Sequence, residues 1–258
     1  MRLPELRGIS ESDFDLPAVT AIQRRIIRSK PGLRLIYREY CRPGLESAAR
    51  APVGARMLEI GSGVSPLKDY IPGLITSDVV YLSWLDLVCS AYDLPFPDLS
   101  LDRIFLVFVW HHLGRVEKFL EEVRRCLKPG GEMVIVDPAV TAFSKWYYRY
   151  LHMDELDLES VQWSFAGDRR LSDSNIALAW IVFFRDRNRF ERLYPELTVR
   201  AVEFNTCLSF LLSGGLRIRQ LLPTRLLKIV FRLENLLIKK VTRQLAATMV
   251  LTIQKNRS

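Results

Sequence analysis

The run Leu58-Glu59-Ile60-Gly61-Ser62-Gly63-Val64-Ser65-Pro66 restricts the fold more than any other part of the chain. An apolar strand that feeds directly into a glycine-rich turn opens a strand-to-helix unit, because glycine is needed where the backbone must turn tightly and approach a ligand closely. A lone Gly-x-Gly does not identify that ligand, since many strand ends use one only to turn. A dinucleotide fingerprint would place a third glycine at position 66, where the chain has Pro66, so a nicotinamide reading loses much of its support.

Downstream, short apolar runs alternate with helix-spaced segments. The pattern predicts strands at Arg56 to Ile60, Leu74 to Val80, Leu85 to Ser90, Arg103 to Trp110 and Glu132 to Val136, with Leu197 to Phe204 and Ala246 to Gln254 as the last two. Between the fourth and fifth strands, Val116, Phe119, Leu120, Val123 and Leu127 share one face of a helix that stops at Lys128-Pro129-Gly130-Gly131. Runs apolar throughout suit parallel strands covered on both faces. The expected fold is therefore a doubly wound, mostly parallel seven-stranded α/β sheet, Rossmann-like, with a helical leader over residues 1–50 and helical insertions before the last strand. The main domain is expected over 51–258, with an insertion at about 139–195 and a basic amphipathic region at about 210–245.

The longest apolar stretches, such as Ile104 to Trp110 and Ala177 to Phe184, are too short to span a bilayer, and the first residues lack the apolar core of a secretory signal. A cytoplasmic location, with contact at the inner face of the membrane as an option, is the expectation. Cys41, Cys89, Cys126 and Cys207 form no C-x-x-C pair, so neither a zinc site nor a disulfide scaffold is expected. The net charge of +8 is uneven: residues 1–204 carry 27 basic and 28 acidic side chains, whereas the remainder carries ten basic and one acidic, Glu234.

Four features in order resemble the class I S-adenosylmethionine methyltransferases of the small-molecule branch: Glu59-Ile60-Gly61-Ser62-Gly63; Asp78; Asp93-Leu94-Pro95-Phe96-Pro97-Asp98; and Trp110-His111-His112-Leu113 followed by Leu127-Lys128-Pro129-Gly130-Gly131. The likeness is strong over about 56–138. It implies S-adenosyl-L-methionine as cofactor, with Gly61, Ser62 and Gly63 approaching the methionine carboxylate at a helix start, and Glu59 facing the ammonium group. It further implies that Asp78 accepts the ribose hydroxyls and that Ala91, Tyr92, Asp93 and Val109 flank the adenosine. Two positions depart from the pattern: Ser65 replaces the third glycine, and Ser90 stands where the family often has an acid. The stretch from Asp78 to Ser90 is also short for a crossover helix.

Methyl transfer to a hydroxyl needs alignment and a proton acceptor. His111 and His112, just past the fourth strand, and Asp137, at the end of the fifth, are the candidate bases, with local packing and hydrogen bonding as the alternative reading of the histidines. Phe143, Trp146, Tyr147, Tyr148 and Tyr150, followed by His152, stand where an acceptor would be roofed, as stacking groups or as core. In the tail, Leu222, Leu226, Ile229, Val230, Leu233, Leu236, Leu237 and Val241 share a helix face, with Arg225, Lys228, Arg232, Lys239 and Arg243 elsewhere. Such a helix either lies on an anionic membrane surface or docks on the sheet. The Leu211-Leu212-Ser213-Gly214-Gly215 stretch is similar to methyltransferases of bacterial polysaccharide or glycolipid assembly, which implies a sugar, glycolipid or small-metabolite acceptor. A noncatalytic binding module and an RNA methyltransferase are the rival readings, and no nucleic-acid motif supports the latter.

Overall fold

The computed structural model describes residues 3–6, 9, 13, 15–150, 155–165, 173–206 and 208–257. Its seven strands are β1 (Met57–Ile60), β2 (Ile75–Asp78), β3 (Leu87–Val88), β4 (Leu101–Val107), β5 (Leu127–Pro138), β6 (Leu197–Asn205) and β7 (Thr248–Lys255). They form one sheet in the order β3-β2-β1-β4-β5-β7-β6. β3, β2, β1, β4 and β5 are parallel, and β7 runs antiparallel to both of its neighbours, β5 and β6. The sheet is thus Rossmann-like and mostly parallel.

Successive residues of the central strands point to opposite faces, and both faces are covered. Ile104 and Leu106 of β4, with Met133 and Ile135 of β5, pack beneath α3 (Val116–Cys126), α5 (Leu178–Trp180) and α6 (Arg187–Leu193). The alternate residues Phe105, Val134 and Val136 pack with the leader helices α1 (Pro17–Ser29) and α2 (Pro31–Ala49). This explains why the strand sequences read as continuous apolar runs. α4 (Ala142–Tyr150) follows β5, and α7 (Leu208–Leu212) and α8 (Thr224–Lys240) lie between β6 and β7.

The Lys128-Pro129-Gly130-Gly131 stretch does not separate helix from strand. β5 begins at Leu127, opposite Leu101, and its pairing resumes at Glu132 opposite Arg103, so these residues form a bulge in which Gly130 takes φ +79°. The third strand shrinks to Leu87–Val88, and no helix joins it to β2.

The helix expected after the glycine turn is also missing. Only a 3₁₀ turn, Leu67–Asp69, forms between β1 and β2, in a segment broken by Pro66, Pro72 and Gly73. Leu67, Ile71 and Leu74 pack instead against the core built by α1 and α2, and Gly44 of α2 lets Leu67 approach closely. The leader therefore covers the sheet where a crossover helix would lie. Among the described residues no helix is long and apolar enough to cross a membrane, and no group of three His, Cys, Asp or Glu side chains could hold a metal ion. Cys41, Cys89 and Cys126 are free thiols, whereas Cys207 lies outside the described residues.

Candidate functional site

A cavity of about 1090 Å³ opens at the carboxyl edge of the parallel strands. Open α/β sheets hold ligands at this edge, because each strand there hands over to a loop whose backbone and side chains are free to line a crevice. Ile60, Gly61 and Gly63 follow from β1, Asp78 ends β2, Ser90 to Tyr92 follow β3, and Phe108, Val109, His111 and His112 follow β4. Pro138 closes β5, and Thr248 joins them because β7 runs the other way and begins at this edge.

The glycine turn is shaped by its neighbours. Gly61 takes φ +65°, and a Cβ there would come within 2.5 Å of Val109 Cγ2, so neither the backbone angle nor the space admits a side chain. Ser62 is buried within the turn: its hydroxyl donates to the Glu59 carbonyl at 3.0 Å and accepts from the Ser77 amide. It supports the turn and does not line the cavity. Asp78 does line it, and its Oδ2 also accepts the Gly63 amide at 3.2 Å while Oδ1 accepts the Val79 amide at 2.8 Å. One carboxylate thus ties the end of β2 to the glycine turn at the cavity wall. The expected helix start is replaced by the 3₁₀ turn, so any anion here would rely on the turn's amides without a long helix dipole behind them.

Glu59 is fully buried, and among the described residues neither of its carboxylate oxygens has a partner within hydrogen-bonding geometry. Burial pushes its pKa up to about 7, and the Ser65 and Ser62 hydroxyls act in the opposite direction. A charge in this position lacks solvation and calls for a cation. Glu59 does not line the cavity; it sits one layer behind the turn.

Of the residues expected on the adenosine side, Ala91, Tyr92 and Val109 line the cavity, as does Ser90. Asp93 does not: it is exposed, with its amide turned back to the Ser90 carbonyl at 3.3 Å, because residues 90–93 close a tight turn. Arg115 stacks on the Tyr92 ring with its guanidinium 4.5 Å from the ring centroid.

On the opposite wall, His111 Nδ1 lies 2.8 Å from Asp137 Oδ1, and both side chains are buried. Burial raises the Asp137 pKa, and the adjoining His111 works against that rise. His111 lines the cavity and Asp137, expected as a second base on that wall, does not: its carboxylate lies behind the imidazole, in the packed interior. His112 also lines the cavity, with Nδ1 3.1 Å from the Asp173 carbonyl, and the two imidazoles stand 4.1 Å apart between centroids.

Tyr147 and Tyr148 of α4 reach the cavity, whereas Phe143 packs beside Ile238 and Ala246, and Trp146 and Tyr150 are exposed. The aromatic cluster is thus divided between wall, core and surface. His152 lies outside the described residues.

Sequence reasoning missed much of the wall. Thr20 and Gln23 of α1, Tyr37 and Tyr40 of α2, and Phe210, Leu211 and Gly214 to Ile218 all face the cavity. Thr20 and Gln23, polar residues buried on the same helix face as Val19, Ile26 and Ile27, were the available signal in the leader. Phe108 takes φ +57°, which is unusual for an aromatic residue, and its ring meets Tyr40 edge-on with centroids 4.8 Å apart. Left-handed backbone at a non-glycine residue persists only where its surroundings impose it, and such residues gather at ligand sites.

Residues 74–135 match a family model described as a methyltransferase domain. The chain is 39% identical over 64 residues to a demethylmenaquinone methyltransferase of Tropheryma whipplei strain Twist, a match covering 23% of this chain and 27% of that protein. It is 36% identical over 66 residues to a ubiquinone/menaquinone biosynthesis C-methyltransferase of Bordetella avium, covering 23% and 25% respectively. The chain therefore spans about a quarter of the length of these relatives. A SAM dependent methyltransferase from Archaeoglobus fulgidus shares the fold, with a TM-score of 0.51 at 13% identity, over 86% of this chain and 94% of that one.

Proposed function

We propose that the protein is an S-adenosylmethionine-dependent methyltransferase in which the donor lies along Gly61, Gly63, Asp78 and Tyr92 and the acceptor is presented to His111. The observation that carries this reading is the convergence of a glycine turn, a strand-end carboxylate and a His–Asp pair on one cavity at the carboxyl edge of the sheet. The residues fit the donor: Asp78 suits vicinal hydroxyls, the turn admits a close ligand because Gly61 carries no side chain, and the Glu59 carboxylate, buried one layer behind the turn, places a negative charge that favours an ammonium group in front of it. When bound, S-adenosylmethionine supplies an electrophilic methyl group.

The chain's own part is alignment and proton acceptance. Asp137 holds His111 by Nδ1, which leaves Nε2 as the ring nitrogen that takes the acceptor's proton, and the imidazolium so formed is stabilised by the buried carboxylate. Tyr37, Tyr40, Phe108, Tyr147 and Phe210 give the cavity an aromatic lining. That lining favours an amphiphilic acceptor over a free sugar, so O-methylation of a glycolipid or an apolar hydroxylated metabolite is the first reading. Methylation of a ring carbon is the second, favoured by the match to quinone-biosynthesis C-methyltransferases.

Calorimetric titration with S-adenosylmethionine and S-adenosylhomocysteine tests the donor site. Saturable binding to the wild type, weakened about tenfold or more in Asp78→Asn, is expected from the loss of a charged acceptor. Unchanged affinity would remove Asp78 from the donor site, and no binding by the wild type would leave a noncatalytic module as the better description.

A further inference from the structure

α8 (Thr224–Lys240) presents an apolar stripe to solvent. Only Leu227, Glu234 and Ile238 are buried, on the side turned toward α2, α7 and β6. Leu226, Ile229, Leu233, Leu236 and Leu237 are each 46% to 56% exposed, and Val241 beyond the helix end is 72% exposed. At 100° per residue these side chains form one continuous band beside the docked face, running the length of a helix of roughly 25 Å. Apolar side chains scattered singly over a surface need no explanation, but a contiguous band of this kind does.

The other edge of the band is basic. Arg225, Lys228, Arg232 and Lys239 follow it in a row, with Lys240 at its end, and all five are exposed. Among the described residues none of them has a carboxylate within 4.0 Å, and the helix's one acid, Glu234, is buried and spent on the Ser209 amide and hydroxyl.

We infer that this face of α8 docks on an anionic lipid surface, with the leucine and isoleucine band in the headgroup boundary and the basic row against lipid phosphates. The geometry is that of an interfacial helix, whose binding adds apolar burial to electrostatic attraction. A second copy packing α8 on α8 would bring two unpaired basic rows together with no acid to offset them. Nucleic acid would satisfy the cations but leave the apolar band in water.

The consequence reaches the cavity. Glu234 accepts the Ser209 amide at 2.9 Å and so anchors α7, and Phe210, Leu211 and Gly214 to Ile218, which follow, line the cavity. Lys30 Nζ donates to the Gly215 and Ile218 carbonyls at 2.6 and 2.8 Å, tying this wall to the leader. A docked α8 therefore holds one wall of the cavity at the lipid boundary. This inference does not depend on methyl transfer.

The test is flotation of the full chain with vesicles of phosphatidylcholine alone and of phosphatidylcholine with phosphatidylglycerol, alongside Leu233→Glu, Arg232→Gln and Lys228→Gln, with donor titration as a control for folding. Binding to the anionic vesicles only is expected, weakening with salt and about fivefold for each cation removed. Leu233→Glu should release the protein while leaving donor affinity and thermal stability unchanged, because its side chain touches solvent. Absence of binding to anionic vesicles overturns the inference, as does equal binding by Leu233→Glu. A concentration-dependent dimer in light scattering that Leu233→Glu abolishes would assign the band to a second copy instead.

Discussion

Glu59→Gln separates the role proposed for this carboxylate behind the donor site from its cost to the fold. The Glu59 pKa is pushed up to about 7 by complete burial, against about 4.3 in an unfolded chain. Between those values the folded protein holds a proton that the unfolded chain has released, so the contribution is present at low pH and is lost as pH rises through 7. With about 1.4 kcal/mol per pKa unit, roughly 2.5 kcal/mol disappears between about pH 5 and pH 8. Glutamine has nearly the same shape and cannot ionise, so the variant loses no such term. Urea denaturation of both proteins at the two pH values, with m checked for constancy, should show the variant gaining on the wild type by about that amount. The Asp137 carboxyl, whose pKa is also raised, is present in both proteins and cancels in the comparison. In the same variant, donor affinity should fall, and its rise from pH 6 to pH 8 in the wild type should vanish. A stability difference that stays flat across this range would refute the reading of Glu59 as a buried, unsolvated carboxylate.

Asp137→Asn keeps the 2.8 Å contact to His111 but removes the charge behind it, so turnover with an acceptor that the wild type methylates should drop about a hundredfold or more while donor affinity stays constant. A parallel loss of donor binding would mean that the pair serves the fold alone. Gly61→Ala forces a Cβ to within 2.5 Å of Val109 Cγ2 at φ +65°, which should cost about 1–3 kcal/mol in denaturation and abolish calorimetric donor binding. The double variant Gly61→Ala/Val109→Ala should recover part of the stability. If the single variant is as stable as the wild type, the tight turn is not what the site requires.

The sheet was legible because its information is local. Runs such as Ile104 to Leu106 and Met133 to Val136 are apolar on both pleat faces, which only a strand covered on both sides satisfies, and Gly61 and Gly63 announce the turn that such a strand feeds. The same locality placed Asp78, Tyr92, Val109 and His111 near one edge, since strand ends in a parallel sheet share it. What the sequence could not express was direction and partnership. The carboxylates of Glu59 and Asp137 read identically to Asp78, yet only Asp78 reaches the cavity, because residues near a strand end differ in whether their side chains meet the crevice or the packed interior. α1, α2 and α7 became cavity walls through contacts between residues some 180 positions apart, such as Lys30 with Gly215 and Ile218, for which periodicity carries no signal. For α8, helical spacing defined the apolar stripe, but the side that docks is set by the Glu234 bond to Ser209 and the burial of Leu227 and Ile238, and the stripe itself was left facing outward. Amphipathicity is a property of one segment, whereas which of its faces is buried is decided by the shape of everything that packs around it.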